Sequence, residues 1–139
     1  MGRSSKRALI PGGLAAAFAV TAAVHPSVFA QVQPGLWEIS GAPGAHAPIR
    51  QCLLDVTALA RFEHRTNNCT AIVLKDVGST AQIDYNCPGA GFGHSQIDVL
   101  TPRSLRISTQ GISEGLPFNY VLQARRVDDC PKNASLTRH

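Results

Sequence analysis

The sequence predicts a mainly β protein: a small antiparallel meander sheet, open or partly closed like a barrel, with one short helix and two disulfides. Two observations predict the sheet. Runs with period-two alternation recur along most of the chain, and the links between them are short and rich in Gly, Pro, Asp and Ser, which favours neighbouring antiparallel strands. A third concerns the staples: Cys52, Cys69, Cys87 and Cys130 all lie beyond an N-terminal apolar run that reads as an export signal.

That signal occupies residues 1–30. Arg3, Lys6 and Arg7 provide a charged start and an apolar run follows, interrupted by Pro11, Gly12 and Gly13, too short without a break to serve as a bilayer span. Val28 and Ala30 are small residues where a signal peptidase inspects its substrate, so cleavage is expected between Ala30 and Gln31. The expected product is a periplasmic chain that meets the membrane only through the signal before cleavage. Removing three basic residues and no acidic ones leaves ten against nine, a net charge of +1. The basic pI of the whole chain, about 9.2, is therefore no nucleic-acid footprint, which needs basic residues gathered on one face. Arg125 and Arg126 form the one remaining basic pair and are expected at a solvated strand end.

Residues 31–130 are expected to form one domain, with residues 131–139 a disordered tail. The first strand spans the stretch GLWEIS, with Trp37 and Ile39 on the inward face and Trp37 as a structural anchor of the core. After a flexible GAPGAHAP link a second strand covers Ile49–Leu53. Asp55 then suits the N-cap of a short helix reaching about Arg65, with Val56, Leu59, Ala60 and Phe62 as its apolar stripe.

The run CTAIVLKDVGSTAQIDYNC, residues 69–87, reads as a hairpin. With Val77, Gly78 and Ser79 as a three-residue loop, Asp76 pairs with Thr80, Lys75 with Ala81, Val73 with Ile83 and Ala71 with Tyr85, and Cys69 falls opposite Cys87. A slip of one residue would put the faces out of phase, so the register supports a Cys69–Cys87 bridge and leaves Cys52–Cys130 by elimination. Four cysteines still allow three pairings. A zinc site from scattered Cys and His is the competing reading, but no CxxC or HxxxH spacing is present.

Residues 88–94, PGAGFGH, resemble a phosphate loop only in glycine content: no GK[ST] follows and no helix begins there, so they read as a strand connection. Strands are then expected at 95–100, 104–110 and 117–127, with a turn at 101–103 and a looser loop at 110–116. His46, His64 and His94 lie on separate connections and are expected at the surface rather than on a metal. No metal, cofactor or catalytic residue is expected: the GxSxG elbow is missing, and both bridges together consume every thiol.

PGLWE near the expected cleavage site, cysteines bracketing a central hairpin, and ARRVDDC near the C-terminus together resemble the bacterial secreted family designated domain of unknown function 3617. The resemblance spans essentially all of the expected mature chain, with Asp128 where the family pattern often has glycine. It implies an envelope-localised, mostly periplasmic protein of a Gram-negative bacterium and brings no activity with it.

Three kinds of function fit. The first is a binding or interaction module for an envelope protein or a small apolar ligand, with Phe92, His94, Phe118 and Tyr120 as the candidate surface. The second is an inhibitor or chaperone of an envelope enzyme, which would present a protruding loop at 88–94 or 110–116. The last is an enzyme assembling His94 with Asp84 or Glu114, ranked below the other two.

Overall fold

The computed structural model describes residues 26–132. Residues 1–25 of the expected leader and 133–139 of the expected 131–139 tail lie outside the described residues.

Seven strands form one open antiparallel sheet: β1 (Gly35–Ser40), β2 (Ile49–Leu53), β3 (Thr70–Val77), β4 (Thr80–Cys87), β5 (Gly91–Thr101), β6 (Ser104–Ser113) and β7 (Leu116–Asp128). Their spatial order is β2-β1-β7-β6-β5-β4-β3, so β3 to β7 make a continuous meander and the β1–β2 hairpin is added against β7. Two 3₁₀ segments, η1 (Ser27–Gln31) and η2 (Val56–His64), carry buried side chains that join the core on the sheet's inner face. The expected short helix is η2. Asp55 caps it, accepting from Thr57 N–H at 2.9 Å.

The core consists of inner-face rows from successive strands. Ala81, Ile97, Ile107 and Leu122 form one row; Val99, Leu105, Ala124 and Ile39 form the next. Trp37 and Ile39 are fully buried, as the alternation in β1 predicts, and Trp37 Nε1 donates to Gln33 O at 3.2 Å.

Both predicted disulfides form, with Cα separations of 4.1 Å for Cys69–Cys87 and 5.4 Å for Cys52–Cys130. The first closes the open end of the β3–β4 hairpin. The second ties β2 to the chain leaving β7, although β1 lies between them in the sheet.

The hairpin register differs from expectation in its distal half. Thr70 to Val73 pair as predicted, but Leu74 is bulged, so Lys75 faces Gln82, Asp76 faces Ala81 and Val77 faces Thr80. The loop is thus the two residues Gly78 and Ser79, with Gly78 at φ +60° in the first central position, as a type II′ turn requires. A bulge plus a two-residue loop uses the same chain length as a straight strand plus a three-residue loop, so the cysteine ends still align. Its local effect is to exchange the faces of Lys75, Asp76 and Val77, which sets Asp76 opposite the buried Ala81.

Two further expectations are corrected. Arg126 is not at a solvated strand end: its side chain is 12% exposed, and its Nε donates to Pro34 O at 2.7 Å while Nη2 pairs with Asp129. His64 is not a surface histidine: it is 1% exposed, because β4, the turn leading into β5, and β7 bring Tyr85, Ala90 and Phe118 around it.

Candidate functional site

Strand alternation that fills the inner face leaves the other face of β3–β7 open, and its register composes a site from two cross-strand rows. Thr70, Asn86, Phe92, Ile112 and Pro117 form one; Ile72, Asp84, His94, Gln110 and Asn119 form the other. Together they line a concavity of about 770 Å³. Phe92 and Ile72 are its most conspicuous apolar groups, 54% and 67% exposed.

The floor is thin because of two glycines. Gly93 and Gly111 face each other on β5 and β6, in the row that begins with Tyr85 and ends with Phe118. On the inner face the Tyr85 ring covers Gly93, and a Cβ there would fall 2.9 Å from Tyr85 Cε1. At Gly111 a Cβ would meet the β5 backbone first, 2.7 Å from Gly93 Cα, and then the Phe118 ring at 3.0 Å. The Tyr85 ring thus occupies the space a side chain at Gly93 would need, as when an aromatic residue protects a strand glycine, and Gly111 allows β5 and β6 to approach closely there.

The polar feature of the concavity is a pair. His94 Nδ1 donates to Asp84 Oδ1 at 2.6 Å, and both side chains are substantially exposed. The carboxylate holds the proton on Nδ1 and orients the ring, leaving Nε2 of the neutral ring to accept a hydrogen bond from a ligand. Asn86, Gln110 and Asn119 surround it with amides able to donate and accept.

The four residues expected to share one surface divide between two faces. Phe92 and His94 stand on the open face. Phe118 and Tyr120 alternate with them in register and turn inward, toward η2, where Phe118 packs edge-on against His64 and Tyr120 donates to Glu63 Oε2 at 3.0 Å. Burial, then that hydrogen bond to the Glu63 carboxylate, raise the Tyr120 pKa well above its ordinary value. His64 completes this inner cluster, with Nε2 donating to Ala90 O and Nδ1 accepting from the Tyr85 hydroxyl, each at 3.4 Å. No buried polar side-chain atom is left without a partner among the described residues. The cluster's polar groups are thus paired within the protein, while Phe118 and Tyr85, next to the two glycines, still contribute to the lining of the concavity.

Neither proposed protruding loop exists. Residues 88–90 are a tight turn and Gly91 already belongs to β5; β6 runs to Ser113, leaving only Glu114 and Gly115 as a turn. Glu114, at φ +49°, lies at this turn beside Phe92 in a smaller hollow of about 350 Å³, separate from the His94–Asp84 pair. Among the described residues, no group of three or more His, Cys, Asp or Glu is placed to hold a metal ion.

Sequence reasoning missed Ile72, Ile112, Pro117, Gln110 and Asn119 as neighbours of Phe92 and His94. The signal that finds them is register: once β5 begins at Gly91, counting across each hairpin aligns both rows.

The two disulfides fit an extracytoplasmic protein, and no helix among the described residues is long and apolar enough to cross a membrane. No family model, curated protein or solved structure matches this chain.

Proposed function

We propose that this is a periplasmic binding module, exported by a signal cleaved between Ala30 and Gln31 and similar to the secreted family designated domain of unknown function 3617. Its ligand surface is the open face of β3–β7. The observation that carries the reading is the concavity itself, where exposed Phe92, Ile72, Ile112 and Pro117 surround a preformed His94–Asp84 pair. Concave, largely apolar sites with a few convergent polar groups are the usual form of small-molecule sites. The ligand that suits it has an apolar body lying on Phe92 and one hydrogen-bonding group reaching His94.

The test is displacement of a fluorescent apolar probe, 1-anilinonaphthalene-8-sulfonate, by a panel of fatty acids, aromatic acids and apolar peptides. Wild type should bind the probe saturably and release it to at least one ligand. Phe92→Ala should weaken both, and His94→Ala should weaken only ligands carrying a hydrogen-bonding group. Equal probe binding by wild type and Phe92→Ala would refute this placement of the site.

A further inference from the structure

The segment ending at the expected cleavage point is built into the fold. Val28 is fully buried, and Phe29 and Val32 are 7% and 6% exposed, all three within the core cluster. Polar contacts hold the same stretch across one end of the sheet. Ser27 N–H and Oγ–H donate to the two carboxylate oxygens of Asp76 at 2.6 and 2.9 Å, Gln31 Nε2 donates to Gly78 O at 3.0 Å, and Gln33 N–H donates to Pro102 O at 3.0 Å. The segment therefore runs from the β3–β4 turn to the β5–β6 turn, along the end where the inner row Val99, Leu105 and Ala124 closes the core.

Cleavage after Ala30 divides these contacts unequally. Gln31 to Gln33 stay, with Val32 still buried and the anchors to Gly78 and Pro102 intact; Ser27, Val28 and Phe29 leave. What remains is a place shaped by an aliphatic and an aromatic side chain, with the Asp76 carboxylate at its rim. The Leu74 bulge gives Asp76 that position, because unbulged pairing would put it on the open face.

We infer that the mature chain carries a second binding site in the cleft that Val28 and Phe29 fill, which takes a short peptide segment with an aliphatic and then an aromatic residue, its preceding N–H donated to Asp76. The inference rests on cleavage after Ala30 and is independent of the open-face site, which lies on the other side of the sheet. Its occupant is argued from the seated one: Ser27-Val28-Phe29 fills the cleft in the uncleaved chain and shows the chemistry that fits.

The test uses the oxidised mature protein, purified after export and checked by intact mass to begin at Gln31, titrated with the acetylated hexapeptide of residues 25–30 under ¹⁵N–¹H correlation NMR. Saturable shifts should appear at Asp76, Gly78, Ser79, Val99 and Arg103, with Phe92 and His94 unmoved. Replacing the peptide's phenylalanine by alanine should weaken binding about ten- to a hundredfold, the loss expected for one buried aromatic side chain. Asp76→Ala should weaken it too, and Phe92→Ala should leave it unchanged. A mature chain beginning upstream of Pro26 would overturn the inference, as would one that folds only with residues 26–30, absence of saturable shifts, or shifts confined to the open face.

Discussion

Trp37→Ala separates an anchor from a ligand contact. The indole has no exposed surface, and its Nε1 donates to Gln33 O at 3.2 Å, the long end of the normal range. Truncating a fully buried aromatic to alanine costs about 3–5 kcal/mol, against a total stability of about 5–15 kcal/mol for a domain. Trp37→Phe keeps most of the apolar contact and loses the hydrogen bond, so its cost should be smaller, about 1–2 kcal/mol, leaving Gln33 O to find water. Equilibrium urea unfolding of the oxidised protein, followed by far-ultraviolet circular dichroism because the variants lack the fluorophore, measures both. The predicted order is wild type, then Trp37→Phe, then Trp37→Ala, with probe binding on the Phe92 face retained wherever the fold persists. Trp37→Ala within about 1 kcal/mol of wild type but with probe binding lost would refute the anchor reading.

Chain-entropy arguments give about 4.5 kcal/mol for the Cys52–Cys130 bridge and about 3 kcal/mol for Cys69–Cys87, whose sequence separations are 78 and 18; urea unfolding of the paired alanine variants should preserve that order, and the reverse order would contradict it. Gly93→Ala should destabilise by about 1–3 kcal/mol through overpacking, since its Cβ would strike the Tyr85 ring, and Tyr85→Phe combined with it should recover part of the loss because the hydroxyl is one of the colliding atoms. Asp76 has its pKa lowered from 3.8, first by the Ser27 N–H, within the uncleaved chain. A depressed folded-state pKa contributes stability that is present above the unfolded value and lost as pH falls through the folded one. Anchoring of η1 in that chain should therefore loosen below about pH 4, seen as faster amide exchange at Ser27 and Val28, and Asp76→Asn should already be loose at neutral pH.

The elements readable from sequence were those whose signal is local. Alternation located β1 and the inward face of Trp37, the Asp55 carboxylate marked the start of η2, and hairpin symmetry paired Cys69 with Cys87. What escaped depends on partners distant in sequence. Gly91 and Gly93 read as loop because glycine has little intrinsic strand preference, yet they lie in β5, where Tyr85 and His64 crowd the space side chains would need. The burial of His64 follows from two strands and a turn converging on it, which no property of RFEHR announces. The Leu74 bulge left no trace in the cysteine alignment, since the shorter loop absorbed the extra residue, so only the faces of Lys75, Asp76 and Val77 betray it. Missing the start of β5 also hid the candidate site, because its two rows exist only when Phe92 and His94 are counted as strand residues.

The segments PGLWE and ARRVDDC meet each other in space. Arg126 Nε donates to the Pro34 carbonyl, and a Cβ on Gly35, at φ +152°, would fall 2.7 Å from Asp128 O and within the Arg126 guanidinium. Three residues after Gly35, Glu38 pairs with Arg125 at 3.3 Å and with Arg50 at 3.2 Å. PGLWE and ARR therefore form one joint, at which β1 is laid against β7 with a bulge in register between Leu36 and Trp37. Asp128 fits there as an ordinary strand residue: its φ is not positive, so a glycine in its place would gain nothing from conformational freedom. A joint of this kind specifies how the β1–β2 hairpin is laid along one edge of the sheet, and it lies away from Phe92 and His94 on β5, two strands beyond β7. The joint contributes no residue to the two open-face rows on β3–β7, so it positions the sheet without lining the proposed open-face site.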